Sequence, residues 1–458
     1  MTRIRNHSNS ESMTRERRDG FYLLGLGCLV FILFGSALEH ISPVSMTDFR
    51  TYYYSSRCLL QNRDPYDPEQ TSAIYHGEET ERPNDSAKNQ MVITKYIYLP
   101  GTLSLTVPGA LLPFGVCRVL WMISNAGCLI LAAFLAWDLA IPYAPIVSGA
   151  LIGFLVANSE LVLITGNAVG VAVGLCVIAV WCFIKKRLEL IGIISLAVSL
   201  VLKPHDAGLV WLYFLLAGGI GRRRALQSLL AVAIISAPGV AWVTAIAPNW
   251  IGELKANISA LSVHGGVADP GPSSSGAHAL AMQINLQTVL SMIKDDPRFY
   301  NPASYLLCGA LIILWAGKVL RSPSSPRTAW IALAVVASLS MLPVYHRQDD
   351  AKLLLLAIPA CAILWAERTL IGRLALFVTT VGLIATAEVP WAIGLTLLRH
   401  LRLPDARWSV EALMAVQVLP TPLALLAVSC FYLWLLAKMP NRSESVAVDG
   451  GSMSLESH

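Results

Sequence analysis

Long apolar runs separated by short polar clusters make up most of the chain. A membrane-spanning helix needs ~20 mostly apolar residues. Thirteen segments approach that length: 21–41, 99–113, 116–140, 144–164, 167–184, 188–204, 206–221, 225–247, 303–320, 328–345, 352–366, 370–398 and 411–437. Several are short or carry proline, as helices do where they break inside a bundle. The pattern predicts an all-α polytopic membrane protein. The first run, Phe21–Leu38, follows Arg3, Arg5, Arg15, Arg17 and Arg18. It exceeds the ~7–15-residue core of a signal peptide, and no small-residue cleavage site follows it. It therefore reads as a retained first membrane helix.

Basic clusters orient the spans, because cytoplasmic loops are enriched in Lys and Arg. Residues 1–20, Lys185–Arg187, Arg222–Arg224, Lys318–Arg327, Arg368–Arg373 and the tail from Lys438 fall inside. Segments 204–206, 248–302, 346–351 and 399–410 then fall outside. Residues 42–98 and Gly166-Asn167 must share the outer side, yet three candidate spans separate them. An odd number of crossings cannot connect one side to itself, so one of the three does not cross. The proline-rich 99–113 is the choice, as a re-entrant or surface-lying helix. This yields about 12 transmembrane helices, one domain over 21–438 and both termini inside. Two long external loops are expected, at 42–98 and 248–302, followed by a disordered polar tail at 439–458.

Composition narrows the function classes. Hydrophobic residues make up 55% of the 458 and charged residues 14%, against roughly 25% charged in a typical soluble domain. Mean hydropathy is +0.59. A soluble enzyme, a disordered chain, a coiled coil and a secreted disulfide scaffold are excluded. The nine cysteines form no CxxC pair and are irregularly spaced, so neither a disulfide framework nor a metal site is predicted.

Five polar stretches carry candidate chemistry. In the first loop, Ser45 or Thr47 can cap a helix running to about Gln61. Phe49, Tyr53, Ser56 and Leu60 would share one face, which predicts a helix lying aromatic side down on the membrane. Asp48 falls on its first turn, where a carboxylate can act as a general base toward a hydroxyl; an ordinary N-terminal helix carboxylate fits the same spacing. Lys203-Pro204-His205-Asp206 ends one span on the outer side, where a lone Lys is either a snorkelling anchor or a phosphate contact. Tyr345 to Lys352 packs His346, Arg347, Asp349, Asp350 and Lys352 between nearly charge-free spans. Arg347 can grip a phosphate with two hydrogen bonds, and the aspartates can orient it or bind a divalent cation. A short solvated hairpin is the plainer reading. Asn167 at another outer helix end can donate to a ligand or simply stop a helix. Glu160, nearby, can pair with a neighbour. The second loop offers Lys255, Asn257, His264, His278, Gln283 and Asn285, with a flexible Gly265–Gly276 suited to a lid or a linker. No cytoplasmic loop is large enough for a nucleotide-sugar site, so a donor in the outer leaflet would be a lipid-linked phosphate.

The stretch Thr47-Asp48-Phe49-Arg50-Thr51-Tyr52-Tyr53 through Asp64-Pro65-Tyr66-Asp67-Pro68 resembles the first-loop signature of glycosyltransferase family 87. Tyr98-Leu99-Pro100, Gly166-Asn167, Lys203-Pro204 and Tyr345-His346-Arg347-Gln348 follow in the family's order. The family's usual Gly-Gln-x-Asn lacks its Gln here. The resemblance implies a GT-C fold and an inverting transfer of a hexose, mannose by preference, from a polyprenyl phosphate to a lipid or glycan hydroxyl. Asp48 would be the base, and His346, Arg347 and Lys203 would hold the leaving phosphate. Phe49, Tyr53, Arg57, Tyr66, Asn167, His205, His264 and Asp350 would contact substrate. Neither a cofactor nor a divalent metal is required, and no nucleic acid is implied. The enzyme would sit in the cell membrane with its site outside. A secondary transporter or flippase is the competing reading. It predicts internal repeats and ionisable groups near the midplane, whereas the ionisable groups here gather at the predicted outer ends.

Overall fold

The computed structural model describes residues 2–42, 45–80, 95–266, 268–272, 283–323, 325–390, 392–394, 416 and 418–441. The predicted 399–410 loop, most of the predicted tail, and His278 lie outside the described residues. The described chain is overwhelmingly helical. The first helix, α1 (Thr2–Ile41), runs unbroken from the basic segment through the first apolar run. It packs along α6 (Pro145–Ala157), and glycines let the two backbones touch. A Cβ on Gly27 would stand 2.2 Å from the Gly153 carbonyl oxygen. Small residues at such crossings are the usual means of close helix approach in lipid, where no hydrophobic drive exists between helices.

Among the described residues, six helices are long and apolar enough to cross a membrane. They lie at Met13–Ile41, Phe114–Ala140, Pro145–Ile164, Gly219–Ile246, Pro297–Arg321 and Pro420–Ala437. Leu370–Ala385 with Glu388–Gly394, bent by 58°, makes up to seven. This falls short of the twelve expected from charge. The difference has a physical cause. Val169–Lys185, Glu189–Leu202 and Pro326–Leu339 are apolar but short. At 1.5 Å per residue they span roughly 21–26 Å, less than the ~30 Å hydrocarbon core. They stop early because the backbone breaks at polar residues buried inside the bundle, a place where irregular backbone is tolerated. The 99–113 segment folds as the 11-residue helix Pro100–Ala110, roughly 16 Å long and too short to cross.

Numbered in chain order, the remaining elements are α2 (Thr47–Leu60), α3 (Pro68–Thr80), α4 (Pro100–Ala110), α5 (Phe114–Ala140), α7 (Glu160–Ile164), α8 (Val169–Lys185), α9 (Glu189–Leu202) and α10 (Pro204–Ala217). Then come α11 (Gly219–Ile246), α12 (Trp250–Ser262), α13 (Leu286–Ser291), α14 (Pro297–Arg321) and α15 (Pro326–Leu339). A 3-10 helix at Gln348–Leu356 precedes α16 (Ile358–Ala366), α17 (Leu370–Ala385) and α18 (Pro420–Ala437). α15 is apolar on every face and is buried from Trp330 to Leu339, as a helix without a polar stripe must be. The nine-residue 3-10 helix is also wholly buried. Runs longer than 3–4 residues in this geometry are uncommon, and this one carries Asp349, Asp350 and Lys352.

The first-loop helix differs from expectation. α2 does not turn its aromatic side to lipid; Phe49, Tyr52, Tyr53, Tyr54, Cys58 and Leu59 are all buried within the protein. Three consecutive tyrosines leave it no broad polar face. Phe49 stacks on Trp121 at 5.4 Å, and Tyr54 stacks on Phe114 at 5.9 Å. Nor do Ser45 or Thr47 cap it: Met46 stands at the cap in a left-handed conformation, with no side-chain cap. The amides of Met46, Asp48 and Phe49 instead donate to the carbonyls of Ile164 and Thr165. The open N–H groups of one helix thus meet the open carbonyls of another.

Candidate active site

Four chain breaks converge at one end of the bundle. The first lies between α7 and α8. Gly166 is left-handed, with φ 64°, and a Cβ there would stand 2.7 Å from both Met46 Sδ and Phe49 Cβ. Only glycine satisfies both the dihedral and the close approach of α2. Asn167 follows. Its Oδ1 accepts from the Val169 amide at 3.1 Å, which turns its Nδ2 toward Asp48 Oδ2 at 2.7 Å. The side chain therefore ties the first loop to the start of α8 and fixes one carboxylate oxygen of Asp48.

The second break is Lys203, which closes α9 and opens α10 with φ −141° and ψ 80°. Pro204 explains it, since the residue before proline is pushed out of the helical region. Lys203 is thereby turned sideways into the core. Its ammonium, almost wholly buried, sits 2.5 Å from Asp350 Oδ1 and 4.0 Å from Asp206 Oδ2.

The third and fourth pieces are the hairpin 342–347 and the 3-10 helix after it. The end of the second long loop pins this hairpin: Ile284 N donates to His346 O, Leu286 N to Leu342 O, and Gln287 Nε2 to Pro343 O. Asp350 Oδ2 accepts from the Arg347 amide at 2.9 Å, so one carboxylate holds both Lys203 and the Arg347 backbone. His346 is fully buried. Its Nδ1 faces the Val344 carbonyl at 2.9 Å, and its Nε2 faces Asp206 Oδ1 at 3.2 Å. His205 is exposed, with its ring edge-on to His346 at 4.8 Å between centroids. Arg347 is half-buried. Tyr98 lies between the halves, close enough that the charges of Asp48, Lys203 and Asp349 all act on its hydroxyl.

The charges tune one another. Burial opposes the charge on Lys203, but Asp350 and Asp206 outweigh it and hold the ammonium protonated. Burial likewise opposes ionisation of Asp350, yet Lys203 and then His346 pull its carboxyl well below the usual range. Burial, then the Asp350 charge, pushes Asp349 up to about 7. Burial alone would lower His346; contact with Asp206 and the charge of Asp350 raise it instead. His205, open to solvent on one side but crowded by protein on the other, is pushed below the ordinary histidine value by that partial desolvation, against the pull of Asp206 and with the positive charges of His346 and Lys203 adding to the effect. The set thus presents two permanent cations, a buried imidazole biased toward charge and a neutral imidazole at the mouth.

One ligand atom each from His205, Asp206, His346 and Asp350 lies within 4.8 Å of the others, a composition able to hold a metal ion. Lys203, however, already engages Asp350 and faces Asp206, so the chain brings its own cation to this spot. A second group is formed by His264, Asp269 and Asp295 in the second loop. There Asp269 accepts from the amides of Gly265 and Gly271 and from the Tyr300 hydroxyl.

Of the residues singled out in the sequence, Asp48, Asn167, Lys203, His205, His346, Arg347 and Asp350 come together. Phe49 and Tyr53 do not join this group; they pack in the aromatic cluster beneath α2, with the Tyr53 hydroxyl donating to Leu112 O. Arg57 reaches the Ala110 carbonyl at 3.4 Å. The Tyr66 hydroxyl donates to the Tyr98 carbonyl, and its ring packs against Tyr96 and Trp250. His264 stays with Asp269 and Asp295. These residues hold the first and second loops in shape around the site. Sequence reasoning missed Asp206 and Tyr98 as members. Asp206 was signalled by its place within Lys203–Asp206, and Tyr98 by the Tyr-Leu-Pro before α4. Glu160, buried, lies near a separate ion pair in which Lys352 meets Glu388 at 2.7 Å.

Compared with known proteins, the chain matches the family model described as glycosyltransferase family 87 over residues 96–345. No curated protein and no solved structure matches it. The match takes in Asn167, Lys203, His205 and Asp206 and ends one residue before His346.

Proposed function

The chain belongs to glycosyltransferase family 87, and on that premise we propose that it transfers a hexose, mannose by preference, from a polyprenyl-phosphate donor to a lipid or glycan hydroxyl. Asp48 accepts the proton of the acceptor hydroxyl while that oxygen attacks the anomeric carbon. The bond from that carbon to the phosphate oxygen breaks on the opposite face, and the phosphate leaves with the electron pair. Attack and departure on opposite faces invert the anomeric centre. Asn167 keeps the Asp48 carboxylate aimed. Arg347 and Lys203 meet the charge that grows on the phosphate, and preorganised charge of this kind is usually the largest catalytic contribution. The neutral His205 at the mouth adds a hydrogen bond to the phosphate or a sugar hydroxyl. Because Lys203 and Arg347 supply the positive charge, no divalent metal is needed.

The observation that carries this reading is the meeting of an oriented carboxylate with a buried cationic set at one end of the bundle. Orientation has separate support. The basic turns Lys185–Arg187, Arg222–Arg224 and Arg368–Arg373 lie at the ends of the helices remote from Asn167, Lys203 and His346. The positive-inside bias then supports a site on the external face of the cell membrane. The test supplies purified protein with polyprenyl-phosphate mannose and follows release of polyprenyl phosphate. Release with wild-type protein and none with Asp48→Asn supports the reading. Equal release by both, or none by either across several lipid-phosphate sugars, overturns it.

A further inference from the structure

His346 is badly placed to touch a donor. Its ring is fully buried, and both ring nitrogens face protein acceptors, the Val344 carbonyl and the Asp206 carboxylate. Asp206 is equally buried, and neither its two oxygens nor His346 Nε2 takes part in a well-aligned hydrogen bond, although Nε2 lies 3.2 Å from Oδ1. Its nearest cations are the His346 ring at 3.2 Å and the Lys203 ammonium at 4.0 Å. A lone pair on Nε2, 3.2 Å from a carboxylate oxygen, would leave two acceptors in contact in a dry interior. A proton on Nε2 removes the conflict and turns the contact into an ion pair, since both nitrogens of the charged ring donate.

We propose that Asp206 is a positioning residue that keeps His346 as a buried imidazolium, and that this pair clasps the Arg347 hairpin to the start of α10. It deepens the proposed reaction and rests on it. His346 then acts from behind the site, through its charge and through the placement of Arg347; Arg347 and His205 reach the donor phosphate, while Lys203, also buried and held by Asp350, acts on it through its charge. The geometry supports both parts. Asp206 and Lys203 flank the break before α10, while His346 and Arg347 are adjacent on the hairpin, so one ion pair joins the two cation-bearing segments. Other charged or titratable groups lie nearby, and of these Asp350 acts directly on the ring and His205 packs against it. Asp350 and Asp349 lie on the 3-10 helix, Lys203 and His205 at the start of α10, and Arg347 on the hairpin itself. The carboxylate in contact with the ring is that of Asp206.

The experiment has two arms on the full-length protein in detergent. In the first, histidine labelled with 13C at Cε1 is titrated by NMR, and the His346 signal is identified by its loss in His346→Gln. The wild-type midpoint should lie above the ordinary value of ~6.5, and in Asp206→Asn it should fall by about one unit or more. A wild-type midpoint at or below 6.5 overturns the pairing even where Asp206→Asn does not fold, and so does an unmoved midpoint in folded Asp206→Asn. In the second arm, turnover is followed against pH. Asp206→Asn should remain within about threefold of wild type near pH 6 and fall about tenfold or more near pH 8, because an alkaline limb shifted by one unit costs roughly that factor. Combining Asp206→Asn with His346→Gln should be no worse than His346→Gln alone. A shifted midpoint with an unmoved rate profile, or additive losses, overturns the catalytic role. Should no lipid-phosphate sugar be turned over, the proposed reaction fails while the NMR arm still decides the pairing.

Discussion

Lys203→Met and Asp350→Asn separate the structural from the catalytic work of the most buried charge pair. The Lys203 ammonium and Asp350 carboxylate lie 2.5 Å apart, with each side chain 5% exposed. Removing one partner of such a pair strands the other and typically costs about 3–5 kcal/mol. Lys203→Met strands Asp350 and takes from Asp206 its only ammonium neighbour among the described residues. The loss should therefore lie at the upper end of that range. Asp350→Asn leaves Lys203 facing Asp206 at 4.0 Å, so its loss should be smaller, about 2–3 kcal/mol, because a carboxylate remains in reach. The double variant leaves neither charge stranded, and the two single losses should overlap by at least ~2 kcal/mol in a double-mutant cycle. Most of the cysteines are buried and all are free, so a thiol-reactive fluorogenic dye reports unfolding directly during thermal or denaturant titration. Turnover should not follow stability. The double variant should be about as stable as Lys203→Met alone rather than worse, yet stay about 10²- to 10³-fold below wild type in turnover, the usual penalty for deleting one preorganised group at a developing negative charge. Additive folding losses would refute the pairing. Wild-type turnover in the double variant would refute the role of Lys203 at the phosphate.

Asn167→Ala should lower turnover about tenfold or more with little change in donor KM, because a hydrogen bond to a charged group is worth about 1.5–3 kcal/mol and here it only aims Asp48. Steady-state kinetics at saturating donor checks this, and a change confined to KM would argue against it. An engineered cysteine at Asn62, an exposed left-handed position at the end of α2, should react with an impermeant thiol reagent on intact cells. One at Arg223, at the start of α11, should react only after the membrane is opened, and the reverse pattern would invert the orientation. Gly166→Ala should destabilise the fold by ~1–3 kcal/mol, since it forces a side chain into a left-handed site against Met46 and Phe49. A melting temperature equal to wild type would show that the approach of α2 is not tight.

Apolar periodicity placed the helices of the long apolar runs, because a run such as 328–345 or 144–164 has no soluble alternative, but it gave no sign of α3, α12 and α13 inside the two long loops. Helix ends were less legible. Breaks at Lys203 and Asn167 shorten the helices around the site, and their length depends on what they meet in the interior. The lipid contact expected for the aromatic side of α2 failed for a similar reason. Its face pattern was read correctly, but Phe114 and Trp121 cover it, and those residues lie on another helix. The site was legible as a set of unusual residues, each on its own short motif. Its pairings were not. Asp48 meets Asn167 across 119 positions, and Lys203 meets Asp350 across 147. Only the fold chooses such partners. It also turned His346 inward toward Asp206, and it sent Arg57, Tyr66 and His264 into the loops that frame the site.

Asp48 is the residue on which the proposed chemistry turns, and the most direct test is the anomeric configuration of the product formed by wild-type protein beside Asp48→Asn. With a donor of known configuration, NMR of the product should show the inverted linkage for wild type. Asp48→Asn, folded by its melting curve, should form no product above background. Product of retained configuration, or normal transfer by folded Asp48→Asn, would contradict the single displacement driven by Asp48.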